Sequence, residues 1–485
     1  MMRPHLLLSL GGLLASCAGD PDPGGDSATG ADGADGADGA DGADGADGAD
    51  GADGADGSDG GSALDDQLRG MLSAQDPPLA PLTAPTDIDP DLAALGGALF
   101  YDPVLSGNKD IACATCHHPS LGTGDALWLS VGTGAEGLGL DRASGDDPSF
   151  VPRHALDLFN RGDPSWRALF WDGRVEERDG RLSTPLGPDL PLGLDGVLAA
   201  QALFPLLDRA EMLGQPGDLA ADGAPNELAE QVDAAAIFGG VMARLAAIDA
   251  YDPLFEAAWP DLDPADRGIQ HVANALAAYQ ATAFAFTDTP YDRYLAGDDD
   301  ALDDTQKLGA LVFFGDGQCA VCHGGPLLTD QQMHVTGVPQ LGPGLPAHAP
   351  LDPGRFAVSD DDADRFAFRT PPLRNVALTA PYMHNGAYPD LEAAVLHYGS
   401  PEDAARTYDG ASLHPALQPT VQHDESHLAD LEGRLSSDLP TGDDTTVGLS
   451  NVRAFLEGLT DPAAADLSAL VPDSVPSGLP VGGAR

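Results

Sequence analysis

The stretch Cys113-Ala-Thr-Cys-His117 decides how this sequence is interpreted, and Cys319-Ala-Val-Cys-His323 repeats its pattern. Each has the form C-x-x-C-H, in which two thiols bond a porphyrin and the following histidine supplies an imidazole to the iron. A zinc site is the alternative, but a His directly after both cysteine pairs is not the usual zinc spacing. A redox dithiol would not need the duplication. The sequence therefore predicts two covalent haem c groups, attached through Cys113, Cys116, Cys319 and Cys322, with His117 and His323 as iron ligands.

The amino terminus has the pattern of an export signal. Arg3 precedes an apolar run, residues 6–14, which is too short to cross a bilayer. The run ends in Leu14-Ala-Ser-Cys17, which resembles the lipobox of bacterial lipoproteins and predicts lipidation of Cys17 after removal of residues 1–17. An ordinary signal peptide cut nearby is the alternative. Either form predicts export, to the periplasmic side of a bacterial membrane with a lipid anchor, or otherwise to the periplasm or cell surface.

A low-complexity segment follows the signal. From Gly30 to Gly60 every third residue is glycine, mostly as Gly-Ala-Asp, and the run contains no proline, so a collagen triple helix is poorly supported. Its apolar content is too low for a core, and its aspartates repel one another. We interpret residues 18–80 as a disordered acidic linker.

The formal net charge of the chain is −54 over 485 residues. No basic stripe exists to meet phosphates, so nucleic acid is not expected as a partner. An acidic surface speeds the encounter with a basic partner, such as a small cationic redox protein. Acidity that serves only solubility explains most of these charges equally well.

Helix signals dominate the rest of the chain, and strand patterns are scarce. Asp89-Pro90 and Asp263-Pro264 are N-cap and first-turn pairs, each before apolar residues at helical spacing. The sequence predicts a mainly α protein with two cytochrome c-like haem domains in tandem. The predicted bounds are 81–262 for the N-terminal haem domain, 263–465 for the C-terminal haem domain and 466–485 for a tail.

An ordered set of motifs resembles the bacterial di-haem cytochrome c peroxidase and MauG family. Besides both haem sites, these motifs are Leu99-Phe-Tyr-Asp-Pro103, Phe170-Trp-Asp-Gly-Arg174, Glu211-Met212, Thr370-Pro-Pro-Leu-Arg-Asn-Val376 and Thr379-Ala-Pro-Tyr-Met-His-Asn-Gly386. The resemblance implies a peroxidase that reduces hydrogen peroxide to water with electrons from a small cytochrome c or copper protein. It also implies a second reading, a MauG-like oxidase that acts through a high-valent bis-haem state. A non-catalytic electron carrier is a third.

The resemblance implies that the N-terminal domain is peroxidatic and that the C-terminal domain transfers electrons to it, and it assigns roles around the first haem. His117 becomes the proximal ligand of the reactive iron, while Gln201, Pro205 and Glu211 match the family's distal-pocket spacing. Glu211 would move a proton between peroxide oxygens and Gln201 would hold the peroxide, whereas a carrier needs no such pair. A solvated surface carboxylate is the alternative for Glu211. Trp171 matches the tryptophan between the haems, a role compatible with packing, and its longer gap to Gln201 implies an insertion.

The resemblance leaves the second haem's far ligand open. Tyr398 lies where MauG-like members have an axial tyrosine, and Met383 competes with it. The family also holds a calcium ion on an asparagine and on the carbonyls that Thr379 and Pro381 match. His154 occupies the asparagine position, with Asn160 nearby, and nitrogen suits calcium poorly. Residues 119–150 contain no histidine, which predicts an open position on the first iron. The sequence also leaves open whether the protein forms a homodimer.

Overall fold

The structure is a computed structural model that describes residues 62–76, 79–144, 148–439 and 446–482. The predicted signal, the lipidation residue Cys17 and the predicted linker as far as residue 61 lie outside the described residues.

The described chain is mainly helical, as predicted. The α-helices, numbered in chain order, are α1 (Ala63–Ser73), α2 (Pro90–Tyr101), α3 (Cys113–Cys116), α4 (Val197–Gln201), α5 (Ala234–Ala246), α6 (Asp252–Ala258), α7 (Ile269–Ala283), α8 (Pro290–Leu295), α9 (Asp304–Phe314), α10 (Phe356–Ser359), α11 (Leu391–His397), α12 (Pro401–Thr407), α13 (Glu425–Glu432) and α14 (Thr446–Glu457). The strands are β1 (Ala168–Leu169), β2 (Val175–Arg178), β3 (Arg181–Ser183), β4 (Met333–His334) and β5 (Phe368–Arg369). The first three strands form one antiparallel sheet, and β4 pairs antiparallel with β5.

Two packed helix pairs organise the described chain, one in the half that carries the first C-x-x-C-H motif and one in the half that carries the second. Helix α2, which precedes the first C-x-x-C-H motif, packs along α7, and α9, which precedes the second motif, packs along α14. Both crossings need a glycine. A Cβ atom on Gly96 would lie 1.8 Å from the carbonyl oxygen of Ala275, and one on Gly309 would lie 1.9 Å from that of Asn451. The two halves therefore repeat one design around their haem motifs.

The boundary between the halves differs from the predicted one at residue 263. Asp263 caps only a short 3₁₀ turn, Pro264–Asp266, and α7 begins at Ile269. The helix buries Val272 and Leu276 in the same core as α2, so it belongs to the first half although it was predicted to open the second. The reason is packing, because the apolar face of α7 lies along α2 and buries its residues in the core that α2 also lines.

The ends of the folded part also differ from the predicted linker and tail. Helix α1, inside the predicted linker 18–80, buries Leu68 and Leu72 in the second core. Lys307 of α9 forms a 2.7 Å ion pair with Asp65 there. The predicted tail packs on the first half, where the Ser477 hydroxyl donates to Asp102 at 2.6 Å. Both anchors join positions far apart in the sequence, Asp65 with Lys307 and Ser477 with Asp102, so no local pattern could reveal them.

No single helix in the described part of the chain has the length and apolar character to cross a membrane. Helix α5 and the segment Asp249–Ala258 reach that length only as a pair bent by 88°.

Candidate active site in two cavities

Each C-x-x-C-H motif lies on the wall of a large cavity. The wall of the first cavity includes Cys113, Cys116 and His117, and that of the second includes Cys319, Cys322 and His323. The four cysteines form no disulfide with one another. Two such cavities, each with two thiols and one imidazole on its wall, fit one haem c apiece.

Both motif histidines are oriented by main-chain carbonyls. The Nδ1 atom of His117 lies 3.2 Å from the Thr123 oxygen, and that of His323 lies 3.0 Å from the Leu328 oxygen. Donation from Nδ1–H fixes the tautomer in which Nε2 carries the lone pair that a metal needs. Burial lowers the pKa of both imidazoles, which keeps them neutral. This is the protonation state of an iron ligand.

The residues predicted for the distal pocket meet in the first cavity. Gln201 ends α4, Pro205 opens a 3₁₀ turn, and Glu211 lies on a single π-helical turn, Arg209–Leu213, and all three line the cavity. The Asp208 carboxylate caps that turn, because it accepts hydrogen bonds from the Ala210 and Glu211 nitrogens at 2.8 and 3.1 Å. The turn therefore holds the Glu211 side chain at a defined point of the cavity wall.

The environment of Glu211 raises its pKa to about 7. Burial is the main cause and the negative charge of Asp208 is the second, while Arg174 and Arg153 act in the opposite direction. A carboxyl group with this pKa exchanges protons readily at neutral pH, which suits general acid–base work. Its half-buried place on the cavity wall contradicts the alternative of a solvated surface carboxylate.

Trp171 is the one described residue that lines both cavities. Its ring is buried, and its Nε1–H donates to the His154 carbonyl oxygen at 2.9 Å. The Trp171 carbonyl in turn accepts from the Arg369 nitrogen at 2.7 Å, which ties the tryptophan to β5 in the second half. Its long gap to Gln201 contains the hairpin of β2 and β3.

The structure brings both candidates for the second haem's far ligand to the second cavity. Tyr398 follows α11, and burial is the main cause that raises the pKa of its hydroxyl, with Cys322 and Cys319 adding to it. Met383 lines the same cavity with a left-handed backbone, φ +74°. The choice between them stays a prediction.

The side chains considered for calcium do not fit that ion. His154 directs Nδ1 at the Leu127 carbonyl, 2.8 Å away. The Asn160 amide is engaged at both ends, because it donates to the Phe286 oxygen at 3.0 Å and accepts from the Phe286 nitrogen at 2.8 Å. Of the four residues considered, only Thr379 and Pro381 still offer carbonyl oxygens, a weak set for a hard divalent cation.

A buried ion network next to His154 escaped the sequence analysis. The Arg153 guanidinium contacts Asp172 at 2.5 Å and Asp352 at 2.6 Å, and all three side chains are buried. This network of one positive and two negative charges joins the two halves of the chain. Arg153 and Asp352 are 199 positions apart, so no local pattern could pair them.

Comparison with known proteins agrees with this architecture. The family model "Di-haem cytochrome c peroxidase" matches residues 90–300. The methylamine utilization protein MauG of Methylorubrum extorquens is 33% identical over 338 residues, which cover 70% of this chain and 75% of the relative. The cytochrome c551 peroxidase of Pseudomonas aeruginosa is 33% identical over 306 residues, which cover 63% of this chain and 71% of the relative. A crystal structure of a MauG-like protein associated with microbial copper homeostasis superposes with a TM-score of 0.52 at 26% identity, covering 80% of this chain and 94% of that one.

The chain therefore belongs to the di-haem cytochrome c peroxidase and MauG family, as its motifs predicted. It is an oxidoreductase with two c-type haems.

Proposed function

We propose that this protein reduces hydrogen peroxide to water in the first cavity, with electrons that a small redox protein delivers at the second. The observation that carries the proposal is Glu211, a carboxyl group with a pKa near neutrality on the wall of the cavity that also contains His117. The peroxidase from Pseudomonas aeruginosa supports the substrate class by its name.

Each motif would hold its cofactor in the same way. Cys113 and Cys116 would bond one haem and Cys319 and Cys322 the other, with His117 and His323 as iron ligands. When bound, the haems supply the redox chemistry of the reaction.

The side chains of the polypeptide transfer the protons of the reaction. The Glu211 carboxylate accepts a proton from one oxygen of hydrogen peroxide and returns it to the other, so that this second oxygen leaves as water when the O–O bond breaks. Two electrons and two further protons complete the second water. The Gln201 side chain, on the same wall, orients the peroxide by hydrogen bonding.

Trp171 supplies a bridge between the two sites. Trp171 lines both cavities, so its oxidisable indole can carry an electron between the two sites in two steps instead of one. The bond from Nε1 to the His154 carbonyl keeps the ring in one orientation. The negative charge of the chain, −54, favours a cationic electron donor at the surface.

The test of this proposal is the reaction of Glu211→Gln with peroxide. Glutamine keeps the shape but removes the base, and loss of a positioned acid–base group lowers the rate by about 10²–10⁴-fold. Stopped-flow mixing of peroxide with the reduced holoenzyme measures that rate, and steady-state turnover with a reduced small cytochrome c gives the donor requirement. A variant as fast as the wild type would remove Glu211 from the mechanism. A wild type inert to peroxide in both redox states would favour the electron-carrier reading.

A MauG-like oxidase is the second candidate, and it depends on Tyr398, which lines the second cavity together with Met383, as the far ligand of that haem. An anionic phenolate favours ferric iron, whereas a methionine thioether raises the potential. Tyr398→Met should therefore raise the potential of the second haem if Tyr398 is a ligand. An unchanged potential would favour Met383.

For location, we propose the periplasmic side of a bacterial membrane, with a lipid on Cys17. Cys17→Ser should release the protein from the membrane fraction while export continues. A wild-type protein that fractionates wholly as soluble would contradict the lipid anchor.

A further inference from the structure

Arg369 lies on the wall of the second cavity with no carboxylate partner. Its side chain is 1% exposed. Nε donates to the Phe170 carbonyl at 3.0 Å and Nη1 to the Thr370 carbonyl at 2.9 Å, while Nη2 is buried with no partner among the described residues. Both hydrogen bonds go to neutral oxygens, so the positive charge is not neutralised by contact.

The surroundings of Arg369 disfavour its positive charge further. Burial, and then the charge of Arg161, lower the pKa of Arg369 to about 9. Arg161 and Arg369 both pack against the Trp166 ring, with guanidinium carbons 4.6 and 5.3 Å from its centroid. Asp157 pairs directly with Arg161 at 2.9 Å, and its attraction to Arg369 acts only at longer range. Asp172 and Asp330 also attract Arg369 at longer range, but Asp172 pairs with Arg153 and Asp330 with His334. No carboxylate among the described residues therefore contacts the buried Arg369 charge, which leaves it to be met by another anion.

A second unpartnered nitrogen, which donates when the imidazole carries its proton on Nε2, lines the same cavity. The Nε2 atom of His384 is buried without a hydrogen-bond partner in the described chain, and the side chain is 3% exposed. The imidazole stacks on Phe368, the residue before Arg369, with ring centroids 3.6 Å apart. Of the buried nitrogen atoms without a partner among the described residues, those on the second cavity belong to Arg369 and His384. A guanidinium nitrogen and an imidazole nitrogen, both buried without a partner beside one apolar cavity, point to a polar group that would fill the cavity.

We propose that Arg369 and His384 form a carboxylate-binding pair that holds a propionate of the haem in the second cavity. A propionate supplies the charge that Arg369 lacks and the acceptor oxygens that both side chains lack. This inference rests on the proposed function only in so far as it needs a haem in that cavity.

The same arginine ties this carboxylate site to Trp171. Its Nε–H holds the Phe170 carbonyl, and its main-chain nitrogen holds the Trp171 carbonyl at 2.7 Å. Phe170 has a left-handed backbone, φ +68°, which an aromatic residue adopts only when its neighbours enforce it. Arg369 is therefore a positioning residue, which sets the charge beside the second haem and the place of the tryptophan that lines both cavities.

The test is the reduction potential of the second haem in the holoprotein, measured by spectroelectrochemical titration. Ferric haem carries one more positive charge than ferrous haem, so a neighbouring cation disfavours it. Arg369→Gln should shift the reduction equilibrium about tenfold toward the ferric state, which is about 59 mV downward for a one-electron couple. Arg369→Lys keeps the charge and should shift it less than half as far. The first haem, in the other cavity, serves as the internal reference.

One matched control variant and a second pair of variants test whether the shift in potential arises from the proposed carboxylate site. Arg365→Gln removes a half-buried arginine that pairs with Asp362 and lines neither cavity, and it should leave both potentials unchanged. His384→Leu removes a donor and should lower the second potential, whereas His384→Gln retains one and should restore it. Resonance Raman bands of the propionates should move in the same variants.

The outcomes separate this inference from the proposed function. An unchanged second potential in Arg369→Gln, or an equal fall in the Gln and Lys variants, would overturn it. If Arg369→Gln does not fold, the two His384 variants decide, and equal potentials in that pair would overturn it. No peroxide is used, so a chain that fails to turn over peroxide can still show the shift, and an active chain can lack it.

Discussion

The acidic residue behind the distal turn offers the sharpest test of how this chain tunes Glu211. Asp208 raises the pKa of Glu211 by its charge and also caps the π-helical turn with its Oδ1 atom. Asparagine caps a turn about as well as aspartate but carries no charge. Asp208→Asn therefore removes the electrostatic effect and keeps the geometry.

The size of the effect follows from the two pKa values. The pKa of Glu211 is raised from 4.5 to about 7, with burial as the larger cause, so we expect removal of the Asp208 charge to lower it by at most about one unit, or ~1.4 kcal/mol. Glu211 must be a carboxylate to accept the peroxide proton, so the rate falls as the pH drops through the pKa. A one-unit fall of the pKa raises the carboxylate fraction about fivefold at pH 6 and changes it little at pH 8.

The assay is the second-order rate constant for peroxide, measured by stopped flow from about pH 5 to pH 9. The wild type should show a rise centred near pH 7, and Asp208→Asn the same plateau with its rise moved to lower pH. Asp218→Asn is the matched control, because Asp218 also accepts a main-chain hydrogen bond but does not affect the pKa of Glu211. A profile of Asp208→Asn that superimposes on the wild type would refute the electrostatic reasoning, and so would a rise that persists in Glu211→Gln.

Three further predictions test the bridge, the interior ion network and the cofactor. Trp171→Phe keeps an aromatic ring but loses the bond to the His154 carbonyl, so electron transfer between the haems should slow by about tenfold or more, which flash reduction would detect. Asp352→Ala leaves Arg153 with one of its two carboxylates and should lower the free energy of unfolding by about 3–5 kcal/mol in guanidinium titrations; an undiminished stability would show that the pair contributes nothing. Acid–acetone extraction should leave both haems on the protein in a pyridine haemochrome assay, and one haem, or extractable haem, would contradict the double motif.

Short-range patterns determined much of this protein before any coordinates. The two C-x-x-C-H motifs predicted both haem cavities, because thioether and imidazole chemistry requires those residues within one turn. The Asp89-Pro90 start of α2 followed from capping, since the Asp89 carboxylate accepts from the Asp91 nitrogen at 2.9 Å. The family resemblance implied a shared pocket for Gln201 and Glu211, and both line the first cavity.

Only the tertiary structure decided which elements pack together and which charges remain unpaired. Helix α7 joined the first half because its apolar face fits α2, a match between surfaces that the order of the chain does not encode. The pKa of Glu211 depends on burial by residues from several segments, and the same holds for the uncompensated charge of Arg369. A motif is a property of neighbouring positions, whereas desolvation and charge pairing depend on every atom within a few ångströms, most of them distant along the chain.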